Sequence, residues 1–500
     1  MKVQERYNEY VQKMHKIADV KYALAVLQWD QETYLPPKGA DFRAQQMATL
    51  SEIAHTLFAE DHLGKLLEDL TVTDGLDPDQ RRNAEHTLED YRKNKKYSPQ
   101  FVRELSECTS RSYFAWIEAR KKNDFSVFKK SLQDLINLKR KESDILDYDQ
   151  HPYDAHLNEY EKGASVEWLD AMFKELEPPL RQILADVSGK PQPEDHFLFQ
   201  HFDKDAQWHL GLDLLKQVGF DFDAGRQDIS EHPFTTNFSP LDVRVTTRID
   251  ENDFTSMAWS CLHEGGHAMY EQGLPVRQYG LPLGEYCSVA IHESQSRLWE
   301  NCIGRSLPFL EHNMPLFKKY FPQLNSLTSH QLFAGVNRVK PSLIRTEADE
   351  LTYHFHIMIR YRLEKKLIEG TLNAEEIPGF WNESYRSLLG VEIPDDKRGC
   401  LQDIHWSHGS FGYFPTYSLG SLYAAQFFAA MKKQHDQLEH QISNGDYLFV
   451  HQWLRDNVYQ YGKTFTGSDL CNKITGEPLQ LRYFTQYLTD KYKMIYGLSK

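Results

Sequence analysis

Two histidines that lie four residues apart could together bind a metal ion. They belong to the pattern H-E-x-x-H, which here reads His263-Glu264-Gly265-Gly266-His267. On an α-helix, residues four apart lie on one face, so both imidazoles can reach a single cation. Glu264 is rotated by about 100° from His263, which places its carboxylate beside the metal, where it can act as a base on water. The pattern predicts a metal-dependent hydrolase; the alternative is a helix with two incidental histidines.

The sequence around this pattern predicts the helix that it requires. Asp253 or Ser256 can cap the N-terminus, and Gly273 can end the helix. Gly265 and Gly266 are unusual inside a helix, because each costs up to about 1 kcal/mol relative to alanine. We therefore expect another part of the protein to pass close to the helix backbone there.

A hydrolytic zinc site has three protein ligands and one position left for water. An extended H-E-x-x-H-x-x-G-x-x-H site does not fit, since Tyr270 and Gly273 occupy the positions where it needs glycine and histidine. The next predicted helix offers Glu293 after a loop rich in proline and glycine. His292 is the competing ligand, but adjacent helical residues point about 100° apart, and we favour Glu293.

Composition limits the other function classes. The chain has 500 residues and a net charge of −15, which argues against nucleic acid or an anionic membrane as the main partner. We find no signal-peptide segment and no apolar run of membrane-spanning length. Six scattered cysteines without a C-x-x-C pair fit a reducing compartment, so we expect a cytoplasmic protein.

Helical periodicity dominates the chain and predicts a mainly α fold with a small β-sheet close to the metal helix. The main predicted helices cover about residues 1–30, 41–60, 98 to beyond 116, 166–184, 342–370 and much of 417–487. The clearest strand is 241–249, where Asp242, Arg244, Thr246 and Arg248 alternate with Val243, Val245 and Thr247. We expect this strand at one edge of the sheet, where it could pair with an extended peptide.

Six motifs, in order along the chain, resemble the signature motifs of the carboxypeptidase Taq family of zinc metallocarboxypeptidases. They are His232-Pro233-Phe234, Asp242-Val243-Arg244-Val245-Thr246, His263-Glu264-Gly265-Gly266-His267, His292-Glu293-Ser294-Gln295, Ile344-Arg345-Thr346-Glu347-Ala348-Asp349-Glu350 and Gly399-Cys400-Leu401-Gln402-Asp403-Ile404-His405-Trp406. The resemblance implies a large helical saddle or two-lobed fold with a deep central groove and a small β-sheet beside the zinc site. It also implies a homodimer that uses zinc, or cobalt in its place, to remove C-terminal residues from peptides with broad specificity.

On this basis we expect one catalytic unit over residues 1–500. A helical N-terminal lobe would cover about 1–190, a core with the motifs about 230–420, and a helical C-terminal part about 421–500. The metal ligands would be His263, His267 and Glu293. Glu264 would be the general base.

The tetrahedral oxyanion needs one or two hydrogen-bond donors besides the metal. We predict His405 and Tyr417, with His408 and Tyr413 as close rivals in the same aromatic, glycine-rich segment.

An exopeptidase also needs a cation for the free carboxylate of its substrate, and arginine suits this because its planar fork binds both oxygens. The resemblance favours Arg345, whose alternative role is an intrahelical pair with Asp349. Arg244 or Arg248 could take the carboxylate instead.

Three further residues complete the predicted substrate site. We expect His232, together with Arg244, to line the groove, while Asp242 and Thr246 orient the strand. His354 and His356 could be mistaken for ligands, but a spacing of two turns them to different sides of a helix, so we expect ordinary packing.

Two other functions remain open from the residues alone. One is a metallo-endopeptidase or oligopeptidase with the same metal centre. The other is a zinc-stabilised, peptide-binding protein without catalysis.

Overall fold

The computed structural model describes residues 2–498, and within them most of the chain is helical. The first ten α-helices are α1 Val3–Thr33, α2 Ala40–Phe58, α3 Asp61–Val72, α4 Pro78–Lys96, α5 Pro99–Lys122, α6 Ser126–Leu146, α7 Asp154–Tyr160, α8 Val166–Ser188, α9 Lys204–Val218 and α10 Phe254–Gly273. The next ten are α11 Val289–Arg297, α12 Leu307–Tyr320, α13 Ser329–Val336, α14 Tyr353–Glu369, α15 Ile377–Leu389, α16 Pro415–Gln434, α17 Leu438–Ser443, α18 Leu448–Asn457, α19 Gly467–Thr475 and α20 Leu481–Tyr496. The three strands are β1 Gly225–Ile229, β2 Thr235–Ser239 and β3 Asp242–Thr247. The prediction of a mainly helical fold with a small sheet is confirmed.

Several helices begin at a residue whose side chain caps the helix. The Ser98 hydroxyl accepts a hydrogen bond from the Phe101 amide at the start of α5, and the Asp253 carboxylate accepts one from the Thr255 amide at the start of α10. Such a cap satisfies one of the amides that a helix start leaves unpaired, a contribution of about 1 kcal/mol. Among residues 2–498, no helix is both long enough and apolar enough to cross a membrane.

The chain divides into two units. The first contains residues 2–95, 194–336 and 423–479, and the second contains residues 96–193, 337–422 and 480–498. The first unit holds the sheet, α10 and α11, and therefore the H-E-x-x-H pattern.

The sheet packs on α10, and its strand order is β1-β3-β2. Strand β3 pairs in parallel with β1 and antiparallel with β2, with Arg244 opposite Arg226 on one side and opposite Thr236 on the other. Val243 and Val245 are buried, as the alternating pattern predicts. The expectation that this strand forms an edge is wrong, because both of its sides are already paired. It therefore has no free side for a peptide, and β1 and β2 are the edges.

The predicted helix from residue 342 begins later than expected. Residues Arg345–Glu347 form a 3₁₀ turn, and α14 starts only at Tyr353. The Asp349 carboxylate accepts hydrogen bonds from the amides of Lys340, Leu351 and Thr352. An aspartate that binds nearby amides in this way favours a turn over a helix interior, which explains the delayed start.

Candidate active site

The structure brings His263, His267 and Glu293 together. Helix α10 presents both imidazoles on one face, and α11 presents the carboxylate toward them. Glu293 Oε2 lies 3.8 Å from His263 Nε2 and 3.5 Å from His267 Nε2, and the three potential ligand atoms all lie within 4.8 Å of one another. Among residues 2–498, this is the group of histidine, cysteine and acidic side chains that meets the geometry of a metal site.

These distances fit a metal ion. A tetrahedral ion with bonds of about 2.0–2.1 Å places its ligand atoms roughly 3.3–3.4 Å apart, close to the separations from Glu293 to the two histidines. The other carboxylate oxygen, Oε1, accepts a hydrogen bond of 2.6 Å from Arg297 Nε, so Glu293 offers one oxygen toward the histidines. Two imidazole nitrogens and one carboxylate oxygen are a donor set that hydrolytic zinc sites use.

The two glycines of the pattern are explained by close packing on two sides of α10. A Cβ atom on Gly266 would lie 2.5 Å from the Gln295 carbonyl oxygen and 2.7 Å from Ser296 Cα, both in the backbone of α11. A Cβ atom on Gly265 would meet the end of the Leu215 side chain of α9 at 2.7 Å. The expectation of a close approach is confirmed, and at Gly266 the neighbour is the helix that carries Glu293.

A second carboxylate orients His263. Glu300 Oε2 lies 2.9 Å from His263 Nδ1, and Arg297 and Arg305 hold the same carboxylate. Glu300 belongs to a π-helix over Leu298–Gly304, which continues directly from α11. A hydrogen bond to Nδ1 leaves Nε2 as the free coordinating nitrogen and fixes the plane of the ring.

The charges of Glu293 and His267 suit a cation. Burial alone would raise the pKa of Glu293, but Arg297 and His263 outweigh it and hold the pKa well below its usual range, so the carboxylate is ionised. Burial is also the first influence on His267, where it lowers the pKa to about 3 with help from His292. A neutral imidazole is the form that binds metals.

Glu264 lies beside this group and is buried. The Thr235 hydroxyl, on β2, donates a hydrogen bond of 2.6 Å to Glu264 Oε2 and lies 2.9 Å from the Glu264 carbonyl oxygen. Burial raises the pKa of this carboxyl above its usual value, and His263 and the Thr235 hydrogen bond partly offset the rise. The group is thus anchored at one oxygen and binds a proton more readily than an exposed glutamate does.

His292, the competing ligand, turns away from the metal position. Its Nε2 lies 2.8 Å from Glu271 Oε1. The His292 ring also stacks on the His267 ring, with the two centroids 4.4 Å apart and an angle of 18° between the ring planes.

Two of the predicted residues of β3, Asp242 and Arg244, bind each other. Asp242 accepts two hydrogen bonds of 3.0 Å from Arg244, whose guanidinium lies over the ring of Trp29 at 4.3 Å and that of Phe238 at 4.8 Å. This places the arginine in a fixed position between α1 and the sheet. Arg248 is exposed.

His232 belongs to the segment that leads into β2, and Thr246 of β3 lies beside that segment. Thr246 is buried, and its hydroxyl accepts hydrogen bonds from the Ser230 hydroxyl and the Phe234 amide. His232 is exposed, and its carbonyl oxygen also lies within hydrogen-bond distance of the Ser230 hydroxyl.

Arg345, His405 and Tyr417 belong to the second unit. Arg345 is buried, with Nε 3.0 Å from Asp403 Oδ1 and a terminal nitrogen 3.0 Å from the Tyr353 hydroxyl. The alternative role, an intrahelical pair with Asp349, is wrong, because Arg345 lies in a 3₁₀ turn before α14 and binds Asp403 instead. Arg360 holds the other oxygen of Asp403 at 2.7 Å, so one carboxylate lies between two buried guanidiniums.

His405 Nε2 lies 3.3 Å from the Tyr417 hydroxyl. Burial lowers the pKa of His405 to about 3, and the charge of Arg345 contributes, so the ring is neutral near pH 7. The rival Tyr413 has its ring 5.4 Å from His405 and 5.3 Å from Tyr417, whereas His408 packs against Tyr113 at 5.1 Å. His354 and His356 are buried and bind Ser418 and Tyr385, in agreement with the expected packing role.

Sequence reasoning missed several residues that shape the site. Arg297 could have been found from its spacing of four after Glu293 on a predicted helix. Thr235, Glu300 and Glu271 carry no such signal, because each reaches its partner across a long stretch of chain.

Comparison with known proteins gives one consistent family. A family profile described as the carboxypeptidase Taq (M32) metallopeptidase matches residues 9–492. Carboxypeptidase 1 of Bacillus subtilis is 36% identical over 501 residues, which is 100% of both chains. Thermostable carboxypeptidase 1 of Thermus thermophilus is 38% identical over 488 residues, which is 95% of each chain. The crystal structure of an M32 carboxypeptidase from Deinococcus radiodurans is 36% identical and superimposes with a TM-score of 0.97 over 99% of this chain and 100% of that one.

Proposed function

This chain belongs to the carboxypeptidase Taq family of metallopeptidases and is a metallocarboxypeptidase, and we propose that it uses zinc and a glutamate base to remove C-terminal residues from peptides with broad specificity. The observation that carries the proposal is the convergence of His263 Nε2 and His267 Nε2 on Glu293 Oε2. Cobalt would substitute for zinc, since both accept nitrogen and oxygen ligands in this geometry.

The metal would be held by His263, His267 and Glu293. When bound, a divalent cation of this kind lowers the pKa of water toward about 7 and polarises a carbonyl group. Glu300 and Arg297 then act on the ligands. Glu300 keeps the proton of His263 on Nδ1, and Arg297 occupies the Glu293 oxygen that faces away from the histidines.

Glu264 is the proposed general base. It accepts a proton from the attacking water and returns it to the amine that leaves. The raised pKa suits this exchange, because the best catalytic pKa lies near the working pH. The Thr235 hydroxyl holds Oε2, which leaves Oε1 to take the proton.

Arg345 is the proposed ligand of the free substrate carboxylate. Asp403 and Tyr353 fix its guanidinium without consuming all five of its donors. Arg244, held by Asp242, is the alternative, with His232 as a further contact and Thr246 as the residue that fixes the turn beside it.

His405 and Tyr417 are proposed to donate to the tetrahedral oxyanion. A neutral imidazole and a phenol both carry a proton to donate near pH 7, and the two groups already lie within 3.3 Å of each other. One such donor typically lowers the barrier by about 2.7–4 kcal/mol.

We propose further that the enzyme is cytoplasmic and homodimeric. Six buried thiols suit a reducing compartment. The dimer is suggested by the family resemblance alone, and sedimentation measurements will test it.

The test of activity compares a peptide with its C-terminally amidated twin. We expect the zinc-loaded enzyme to shorten only the peptide with a free carboxylate, one residue at a time, in mass spectra taken over time. Equal cleavage of both peptides would refute the exopeptidase and indicate an endopeptidase.

The test of the base is Glu264→Gln, with Glu251→Gln as a control at an exposed glutamate. Glu264→Gln should retain one metal ion per chain and lose almost all turnover, whereas the control should retain both. Turnover near the wild-type rate would refute the assignment of the base.

A further inference from the structure

We propose that His292 is a positioning residue for the metal centre. Glu271 and two tyrosines hold the His292 ring in place, and this ring in turn fixes the plane of the His267 imidazole. The inference rests on the proposed function, in which His267 is a metal ligand.

The two histidines of the H-E-x-x-H pattern are supported in different ways. His263 has a hydrogen bond from Nδ1 to Glu300, which is the usual support for a metal-binding histidine. His267 Nδ1 is buried and, within the described part of the chain, has no hydrogen-bond partner. Since the terminal torsion of histidine is broad, a ring without such a bond needs another restraint to keep its nitrogen on the metal.

A stacking contact on the face of the His267 ring supplies that restraint. Its ring stacks on His292 with a centroid distance of 4.4 Å and an angle of 18° between planes. A stack at this distance resists rotation of either ring, because turning one edge into the other plane would cause a clash. Stacked aromatic pairs contribute about 0.5–1.5 kcal/mol beyond the area they bury.

His292 is itself held on its other sides. The rings of Tyr286 and Tyr270 lie 4.7 Å and 5.6 Å from it. Tyr270 is in turn fixed, because its hydroxyl accepts a hydrogen bond of 3.0 Å from the Cys287 amide. The imidazole of His292 is therefore enclosed by three rings, of which one is a proposed metal ligand.

A hydrogen bond fixes the remaining degree of freedom of His292. Its Nε2 lies 2.8 Å from Glu271 Oε1, and Glu271 is buried one helical turn after His267 on α10. Asn237, on β2, donates to the other oxygen of Glu271. His292 of α11 therefore contacts both His267 and Glu271, which lie four positions apart on α10.

The matched substitutions separate the ring from its hydrogen bond. His292→Ala removes both, His292→Phe restores a stacking ring, and His156→Ala is the control at another buried histidine, which binds Ser143 in the second unit. Removal of a residue that supports a metal ligand typically weakens metal binding about 10–100-fold. We expect that loss for His292→Ala, recovery of most of it in His292→Phe, and no loss in His156→Ala.

The measurements are the dissociation constants for Zn²⁺ and Co²⁺ by chelator competition and the visible spectrum of the Co²⁺ form. His292→Ala should also shift the Co²⁺ bands, since they report the angles between the ligands, and His292→Phe should return them toward the wild-type positions. Wild-type affinity and spectrum in His292→Ala would overturn the inference, as would equal weakening in the alanine and phenylalanine variants.

A further variant separates this result from the proposed function. His267→Ala must abolish stoichiometric binding of Zn²⁺ if His267 is a ligand. Undiminished binding in His267→Ala would refute the proposed metal site itself, whereas its loss together with unchanged binding in His292→Ala would refute only the role of His292.

Discussion

Gly266 sets the spacing between the helix that carries the two histidines and the helix that carries Glu293. A Cβ atom there would lie 2.5 Å from the Gln295 carbonyl oxygen, whereas ordinary contacts begin at 3.4 Å. In Gly266→Ala the α11 backbone must therefore withdraw by about 0.9 Å, the difference between those two distances. Metal sites tolerate displacements of only about 0.2 Å, so we expect Zn²⁺ to bind at least tenfold more weakly.

The adjacent glycine is a matched control with the opposite expected result. At Gly265 the obstructing atom is the end of the Leu215 side chain, which can rotate away. Alanine in a helix interior gains up to about 1 kcal/mol over glycine, so Gly265→Ala should be as stable as wild type or more so. In Gly266→Ala the same gain is opposed by overpacking against backbone, which typically costs about 1–3 kcal/mol.

The assay measures each alanine variant twice. Urea unfolding in chelator gives the stability of the metal-free protein, and chelator competition gives the dissociation constant for Zn²⁺. We expect a loss of stability and of affinity in Gly266→Ala alone. If the two variants bind Zn²⁺ equally and unfold at the same urea concentration, the reasoning from the close approach of α10 and α11 is refuted.

Three other predictions concern charge and metal. Burial raises the pKa of Glu364 to about 7 from an ordinary 4.5. The contribution of this group to stability, about 3 kcal/mol, is therefore fully present below pH 4.5 and is lost as the pH rises through 7. In Glu364→Gln the free energy of unfolding, measured with urea, should vary less between pH 5 and 8 than in the wild type. Asp403→Asn leaves Arg345 and Arg360 buried without their shared counter-charge, so the free energy of unfolding measured with urea should fall by about 3–5 kcal/mol. The control, Asp395→Asn, breaks a surface pair and should lower it by at most about 1 kcal/mol. Protein with free Zn²⁺ at a hundred times its dissociation constant should lose about 2.7 kcal/mol of unfolding free energy when a chelator removes the metal. If the chelator causes a loss of the same size in His267→Ala, the assignment of His267 as a ligand is contradicted.

The parts of the fold that could be predicted depend on neighbours in sequence. The cap at Ser98, the start of α10 after Asp253 and the alternation of Val243 and Val245 are local, and the structure shows each of them. The start of α14 could not be predicted in this way. There the Asp349 carboxylate satisfies three backbone amides and makes a turn more favourable than continued helix, although the residues from 342 onward have helical periodicity.

The order of the strands is a similar case. Alternation predicts that β3 is a strand, but it does not say which strands flank it. The flanking strands come from the preceding residues, and β1 pairs in parallel through a connection that contains β2. A polar face on β3 suggested an exposed edge, but in the structure Asp242 and Arg244 on that face bind each other, and both sides of the strand are paired.

In the proposed active site, too, some features follow from neighbours in sequence and others depend on distant residues. The donor atoms are contained in short motifs, because the i,i+4 spacing of His263 and His267 alone places two imidazoles on one face. The distances among them are set by residues with no metal-binding chemistry, since Gly266 fixes how near α11 can come and Glu300 and His292 restrain the two rings. A chance H-E-x-x-H helix would lack these supports. The weight of the pattern as a functional signal therefore comes from the glycine beside it, whose cost to the helix has no explanation unless a second helix must approach at that position.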